Sequence, residues 1–259
     1  MKNFLNMLEI DSSNKNKKEV PKYKVLFQDD NIVVFDKSSG IAVIPERYDI
    51  GNSLKELAEF EIGKLLTVHR IDKETSGIVL FAKNAESHRN LNIQFEKREC
   101  EKIYIAVLEG ELPEDEMKID IPIGTDPSDP TIMRPSARGK ECVTIFKVIN
   151  RFKGYTLVSA NLLTGRQHQI RVHARAIGFP LLVDSIYGNR SNFLLSTLKR
   201  GFRTGKYSEE SPIISRLTLH AQKLSINHPI TNERITFESE LPRDLKALIQ
   251  QLSKLRRIN

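Results

Sequence analysis

The chain has no tryptophan and only two cysteines, Cys100 and Cys142, in 259 residues. Two thiols exclude a disulfide scaffold and a four-cysteine zinc site, and a reducing cytoplasm is their simplest setting. No apolar run approaches the roughly 20 residues of a membrane-spanning helix. The opening stretch MKNFLNMLEI interrupts its apolar residues with Asn and Glu and offers no small-residue cleavage site. A soluble, unprocessed chain with no membrane partner is expected. Glycine (13) and proline (11) are too few, and apolar residues (39%) too many, for a disordered chain, so a packed core is expected.

Several chemistries are missing as well. Nothing fits the phosphate-binding spacing G-x-x-x-x-G-K-[ST]; GFRTGKY has the wrong spacing and no Ser or Thr after its Lys. His168 and His173 are five apart, with no Glu placed as in H-E-x-x-H, so no metal is expected. The nucleophile elbow G-x-S-x-G is absent. A glycoside hydrolase built on Asp72 would lack an evident acid partner and the Trp platform common at sugar sites.

Positive charge is in excess. Lys and Arg number 40 against 33 Asp and Glu, a net of +7, which favours an anionic partner such as nucleic acid. Residues 1–20 include the Lys-rich, aperiodic DSSNKNKKEV and are expected to form a flexible polar tail; residues 21–259 are expected to form one domain. YKVLFQD, NIVVFDK and IAVIP read as strands separated by turn signals. NSLKELAEF begins a helix, because Ser53 and Glu56 have capping-box spacing. A strand (GIVLFAKN), a helix (AESHRNLNIQFEKRE) and a strand carrying Tyr104 (KIYIAVLEG) follow.

MKIDIPIG, ECVTIFKVINRF and YTLVSANLL add strands, the last two joined by a turn at Lys153 and Gly154. A helix is expected from about Arg166 to Ile177, with Gly178 as its left-handed cap. On it His168, Arg171 and Arg175 would share a cationic face opposite Ile170, Ala174 and Ile177. Residues 189–215 lack periodicity and read as a surface insertion, with Lys199, Arg200, Arg203 and Lys206 either solvated or touching RNA. LTLHAQKLSIN and ERITFES form a last strand pair, and LPRDLKALIQQLSKLRR a closing helix. Strands dominate without regular βαβ alternation, so the fold class is α+β with a mixed or antiparallel sheet.

The stretch VHRIDKETSG lies between two strand signals. Its Asp72 either closes an Asx-type turn, paired with Arg70 or Lys73, or does chemistry beside His69 and Arg70. Tyr104 reads as an ordinary strand aromatic, and Arg166 and His168 as a solvated helix start; the residues alone leave each of these open.

Four segments in order bear on that choice. HRIDKETSGIVLFAK resembles the H-R-L-D-x-x-T-S-G signature of the RluA family of RNA pseudouridine synthases, with Ile71 for the usual Leu. KIYIAVLEG resembles that family's K-x-Y-x-A-x-V strand. LLTGRQHQIRVHARAIGFPLLVDSIYG resembles its T-G-R-x-H-Q-I-R-V-H block, with Val183 where Gly is common before Asp184. LHAQKLSINHP resembles its terminal strand.

The resemblance implies a pseudouridine synthase fold: a central mixed, largely antiparallel sheet flanked by helices, with the active-site cleft across it. It also implies isomerisation of uridine to pseudouridine in structured ribosomal or transfer RNA, without cofactor. By the same match Asp72 is the catalytic carboxylate, Arg171 its basic partner and Tyr104 the aromatic that stacks on the uracil. Arg70 would enter the space left by the flipped base or hold phosphate. His69, Arg166 and His168 would contact RNA. Residues 1–20 are too short for the S4-type RNA-binding domain common in the family, so the catalytic domain, expected to be a monomer, would supply the binding surface. The rival reading is a non-catalytic RNA-binding or ribosome-assembly factor on this fold; the intact Asp72, Tyr104 and Arg171 set favours the enzyme.

Overall fold

The computed structural model describes residues 22–46, 51–199, 201–202 and 209–258. The expected tail at 1–20 and the basic residues Arg200, Arg203 and Lys206 lie outside them.

Residues 23–37 fold into two antiparallel strands, β1 (Tyr23–Gln28) and β2 (Ile32–Lys37). The expected third strand, IAVIP, does not form. Its Ala42 and Val43 carbonyls accept instead from the Leu54 and Lys55 N–H groups at the start of α1 (Leu54–Ile62). Those donors have no partner inside the helix, so a coil segment that satisfies them competes with strand pairing. The capping box at Ser53 and Glu56 is present as the spacing predicts.

Two more strands and a helix follow: β3 (Leu66–Thr67), β4 (Ser76–Ala82) and α2 (Ala85–Glu96). Strand β5 (Glu101–Glu109) leads to β6 (Glu116–Asp120), where MKIDIPIG breaks at Ile121 and Pro122 because proline has no N–H for a ladder. The chain resumes in a separate ribbon, β7 (Ile123–Thr125) paired with β8 (Met133–Pro135). Strands β9 (Val143–Phe152) and β10 (Tyr155–Leu162) meet at the expected two-residue turn, with Gly154 at φ +84°.

Helix α3 (Gln169–Ala176) and the short α4 (Leu195–Leu198) precede β11 (Leu219–Asn227), β12 (Arg234–Glu238) and α5 (Arg243–Leu255). Within 189–215, Phe193, Leu198 and Ile214 are buried in the cluster under α5.

The main sheet runs β1-β2-β4-β11-β5-β10-β9-β6, with β3 and β12 pairing at β4 and β11. All pairings are antiparallel except β4 with β11. This is the expected mixed, largely antiparallel α+β sheet. Alternation along β5 separates its two faces. Ile105 and Val107 pack under α5 with Leu245, Leu248 and Leu252, whereas Tyr104, Ala106 and Leu108 join the cluster on the opposite face.

The parallel contact of β4 with β11 brings two distant motifs together. Ser76 lies opposite His220 and Gly77 opposite Ala221. A Cβ at Gly77, which has φ +110°, would stand 2.2 Å from the Ala221 carbonyl oxygen, so only glycine fits this crossing. Ser76 Oγ and His220 Nδ1 are 3.0 Å apart, and Arg216 donates to Ser76 Oγ while forking onto Asp244 at 2.6 and 2.7 Å.

Candidate active site

Asp72 stands in the 68–75 connection between β3 and β4, and neighbours on both sides fix that loop. The Thr75 N–H donates to the Asp72 backbone carbonyl, so the main chain and not an Asx side chain closes the turn. This leaves the carboxylate for Arg171 instead of Arg70 or Lys73. Lys37, wholly buried at the end of β2, gives its ammonium to the carbonyls of Ser38, Ile41 and Lys73 at 2.9, 2.7 and 3.0 Å. Burial drives this lysine down to about 7, against the pull of Glu74 and Asp72.

His69, three residues before Asp72, accepts the Leu80 N–H at Nε2 (3.0 Å) and stacks on Phe95 with ring centroids 5.0 Å apart. A backbone N–H can only donate, so Nε2 carries a lone pair and the imidazole is neutral. Burial, aided by the Lys102 charge, pushes His69 down to about 3. Arg70 is exposed at the cleft wall.

On the opposite wall the chain departs from a regular helix start. Helix α3 begins at Gln169, not Arg166, because His168 takes a left-handed conformation (φ +56°). Gln169 folds back to hold this entry. Its Oε1 accepts from Arg166 N–H and the Thr164 hydroxyl, and its Nε2 donates to the Val143 carbonyl and Thr144 Oγ1.

The expected cationic face is also corrected. Of its three residues Arg175 is exposed, but Arg171 is 4% exposed and His168 half-buried; His173, off that face, is fully buried between Thr144 and Ile121. The reason for Arg171 is Asp184, a residue with no apparent role in the sequence. Nε and Nη2 of Arg171 donate to the two Asp184 oxygens at 2.8 Å each, and Asp184 also accepts the Ile186 and Tyr187 N–H groups. Burial opposes the charge on Asp184, yet Arg171 and these N–H groups hold its carboxyl below the usual range. Burial likewise opposes Arg171, and Asp184 followed by Asp72 keeps it firmly cationic.

These elements enclose a cleft of about 900 Å³ that contains all seven candidate residues: His69, Arg70, Asp72, Tyr104, Arg166, His168 and Arg171. The free Nη1 of Arg171 is 3.4 Å from Asp72 Oδ2, and His168 Nε2 is 4.0 Å from the same oxygen. His168 Nδ1 meets the Tyr187 hydroxyl at 2.8 Å, which in turn accepts the Met133 N–H. The Tyr187 contact at Nδ1 leaves the other ring nitrogen, Nε2, turned toward Asp72. Asp72 remains a quarter exposed, open to the cleft.

Tyr104 is flanked across the sheet by Ala160 on β10 and Ala221 on β11. Two alanines opposite it leave the ring without a bulky cross-strand neighbour. Burial and the Asp72 charge both raise its phenol, so it stays protonated. Among the described residues no group of three or more His, Cys, Asp or Glu is arranged to hold a metal ion. No helix among them is long and apolar enough to cross a membrane.

Asp72 is thus held by Arg171, with Tyr104 lining the same cleft. Residues 31–176 match the family model described as RNA pseudouridylate synthase, and the chain belongs to that family. It is thus an RNA-modifying isomerase. It is 36% identical over 256 residues to the uncharacterized RNA pseudouridine synthase YhcT of Bacillus subtilis, covering 95% of this chain and 77% of that one. It is 34% identical over 241 residues to the ribosomal large subunit pseudouridine synthase D of Nitrosomonas europaea, covering 90% of this chain and 66% of that one. Among solved structures, human RNA pseudouridylate synthase domain containing 4 superposes with a TM-score of 0.69 at 28% identity, covering 91% of this chain and 94% of that one.

Proposed function

We propose that this enzyme converts uridine to pseudouridine in ribosomal RNA, with Asp72 as the reacting carboxylate. The reaction breaks N1–C1′, forms C5–C1′, returns a proton to N1 and releases the C5 proton. The observation that carries the reading is the contact between Asp72 and Arg171, with Arg171 itself clamped by Asp184. A buried guanidinium with one N–H group left for Asp72 stabilises an anionic carboxylate where it meets the substrate.

Tyr104 supplies a flat face for the extracted uracil and lies near its C5 proton, and stacking recovers part of the few kcal/mol that unstacking costs. Arg70 fills the space left by the base or holds its phosphate. Arg166 and His168, at the entry to α3, contact the RNA backbone. His69 is a wall residue, its ring nitrogen already taken by Leu80.

Ribosomal RNA is favoured over transfer RNA by the names of relatives such as the ribosomal large subunit pseudouridine synthases D of Nitrosomonas europaea and Pseudomonas aeruginosa. We place the enzyme in the cytoplasm as a monomer whose described residues form one catalytic domain. Chemical mapping of pseudouridine in total RNA from cells with and without the gene tests the substrate. Loss of a large-subunit ribosomal site supports it; loss of a transfer RNA site alone contradicts it.

A further inference from the structure

Lys102 lies two residues before Tyr104 on β5, so alternation puts both side chains on the cleft face of the sheet. Its ammonium stands 5.8 Å over the Phe95 ring, whose other neighbour is the neutral His69. No carboxylate among the described residues lies within ion-pair reach of it. Glu96 lines the same cleft but makes no pair with it, Glu46 is taken by Lys73 at 2.7 Å, and Asp72 faces Arg171. The nearby Arg98 is a second cation, itself paired with Glu141. Burial lowers Lys102 from its ordinary range, the mark of a cation that has lost water without gaining an anion.

Two more cleft cations lack a carboxylate partner among the described residues. Arg70 is one, and Arg166, whose Nε donates to the Glu141 carbonyl, is the other. On the side facing the 164–168 loop, Gly165 presents no side chain to Lys102. A Cβ there would sit 3.4 Å from Nζ. The ammonium therefore points into space bounded by bare backbone.

We propose that Lys102 and the open backbone at Gly165 form a subsite for a phosphate of the RNA strand next to the target uridine. A strand whose base has entered the cleft carries its flanking phosphates to the rim, and Lys102 meets one of them as a point charge beside Tyr104. The subsite rests on the reading of the enzyme as a uridine isomerase. It adds a contact that sets affinity and register and leaves the chemical step alone.

The test uses the full chain and an unmodified transcript of large-subunit ribosomal RNA labelled with [5-³H]uridine. Tritium release reports turnover, and filter binding at several salt concentrations reports phosphate contacts. Lys102→Gln is expected to raise KM about tenfold with kcat within about twofold, and to lower the salt slope of binding by about 0.7 to 0.9, the value for one phosphate. Lys102→Arg keeps the charge and is expected to restore both. An unchanged KM and slope in Lys102→Gln overturns the subsite. So does a fall in kcat at saturating RNA without a change in KM, or an equal defect in Lys102→Arg. Absence of tritium release by the wild type would instead strike the isomerase reading, while the salt slope still judges Lys102.

Discussion

Arg171 and Asp184 form a two-point pair, 2.8 Å at each end, in which neither residue is more than 4% exposed. This pair turns the remaining guanidinium nitrogen toward Asp72. Breaking one side of a buried, hydrogen-bonded pair leaves an uncompensated charge and costs about 3 to 5 kcal/mol. Asp184→Ala is therefore expected to lower the urea midpoint and abolish tritium release together. Arg171→Lys, which cannot fork, is expected to lose most activity as well. Wild-type activity in Asp184→Ala would show that Arg171 orients itself without this partner.

The crossing of β4 and β11 gives a second prediction. Gly77→Ala places a methyl against the Ala221 carbonyl at a backbone angle of +110° that alanine resists. A loss of about 2 kcal/mol or more is expected in denaturant unfolding, with activity reduced because Asp72 lies in the adjoining loop. An unchanged midpoint would mean that the two strands separate freely at this point.

Much of this was legible in the sequence because it depends on local signals. The Ser53 capping box and the Lys153-Gly154 turn are short-range features, and each appears in the fold. The candidate residues also converge on one cleft, as the ordered motifs implied. What failed depended on distant partners. IAVIP has strand composition, but its carbonyls serve α1. Arg171 sits with His168 and Arg175 on one helix face by spacing, and only Asp184, thirteen residues on, shows that it is buried. Asp184 and Gln169 lie inside a matched motif but spacing gave neither a role, and Lys37 carried no local signal, since an acid thirteen residues from its arginine and a strand-end lysine look the same whether buried or free.

Two histidines, the fully buried His220 and the half-buried His69, make stability depend on acid. Burial pushes His220 down to about 4 and His69 to about 3, and His69 accepts a backbone N–H at Nε2. Both protonate near 6.5 when unfolded, so below that pH the unfolded chain binds protons that the native state refuses. Their contribution is complete above about pH 6.5 and declines as pH falls toward these native values, by up to about 1.4 kcal/mol per pH unit for each. Urea midpoints at about pH 7.5 and about pH 4.5 should differ in that sense, and His220→Gln should flatten the dependence. A midpoint that rises on acidification would contradict it.

Tyr104 separates stacking from proton chemistry. Tyr104→Phe keeps the ring between Ala160 and Ala221 and should preserve RNA affinity. Tyr104→Ala removes the platform and should weaken binding by about 1 to 3 kcal/mol. If Phe binds as poorly as Ala, the hydroxyl rather than the ring face holds the base.

The role of Asp72 is tested most directly by tritium release from [5-³H]uridine-labelled large-subunit ribosomal RNA with wild type and Asp72→Asn side by side. The substitution keeps the shape of the side chain and removes its charge. Wild type is expected to release tritium and the variant none, while the variant still binds the RNA in a filter assay. Release by Asp72→Asn at the wild-type rate would contradict the assignment of the reacting carboxylate.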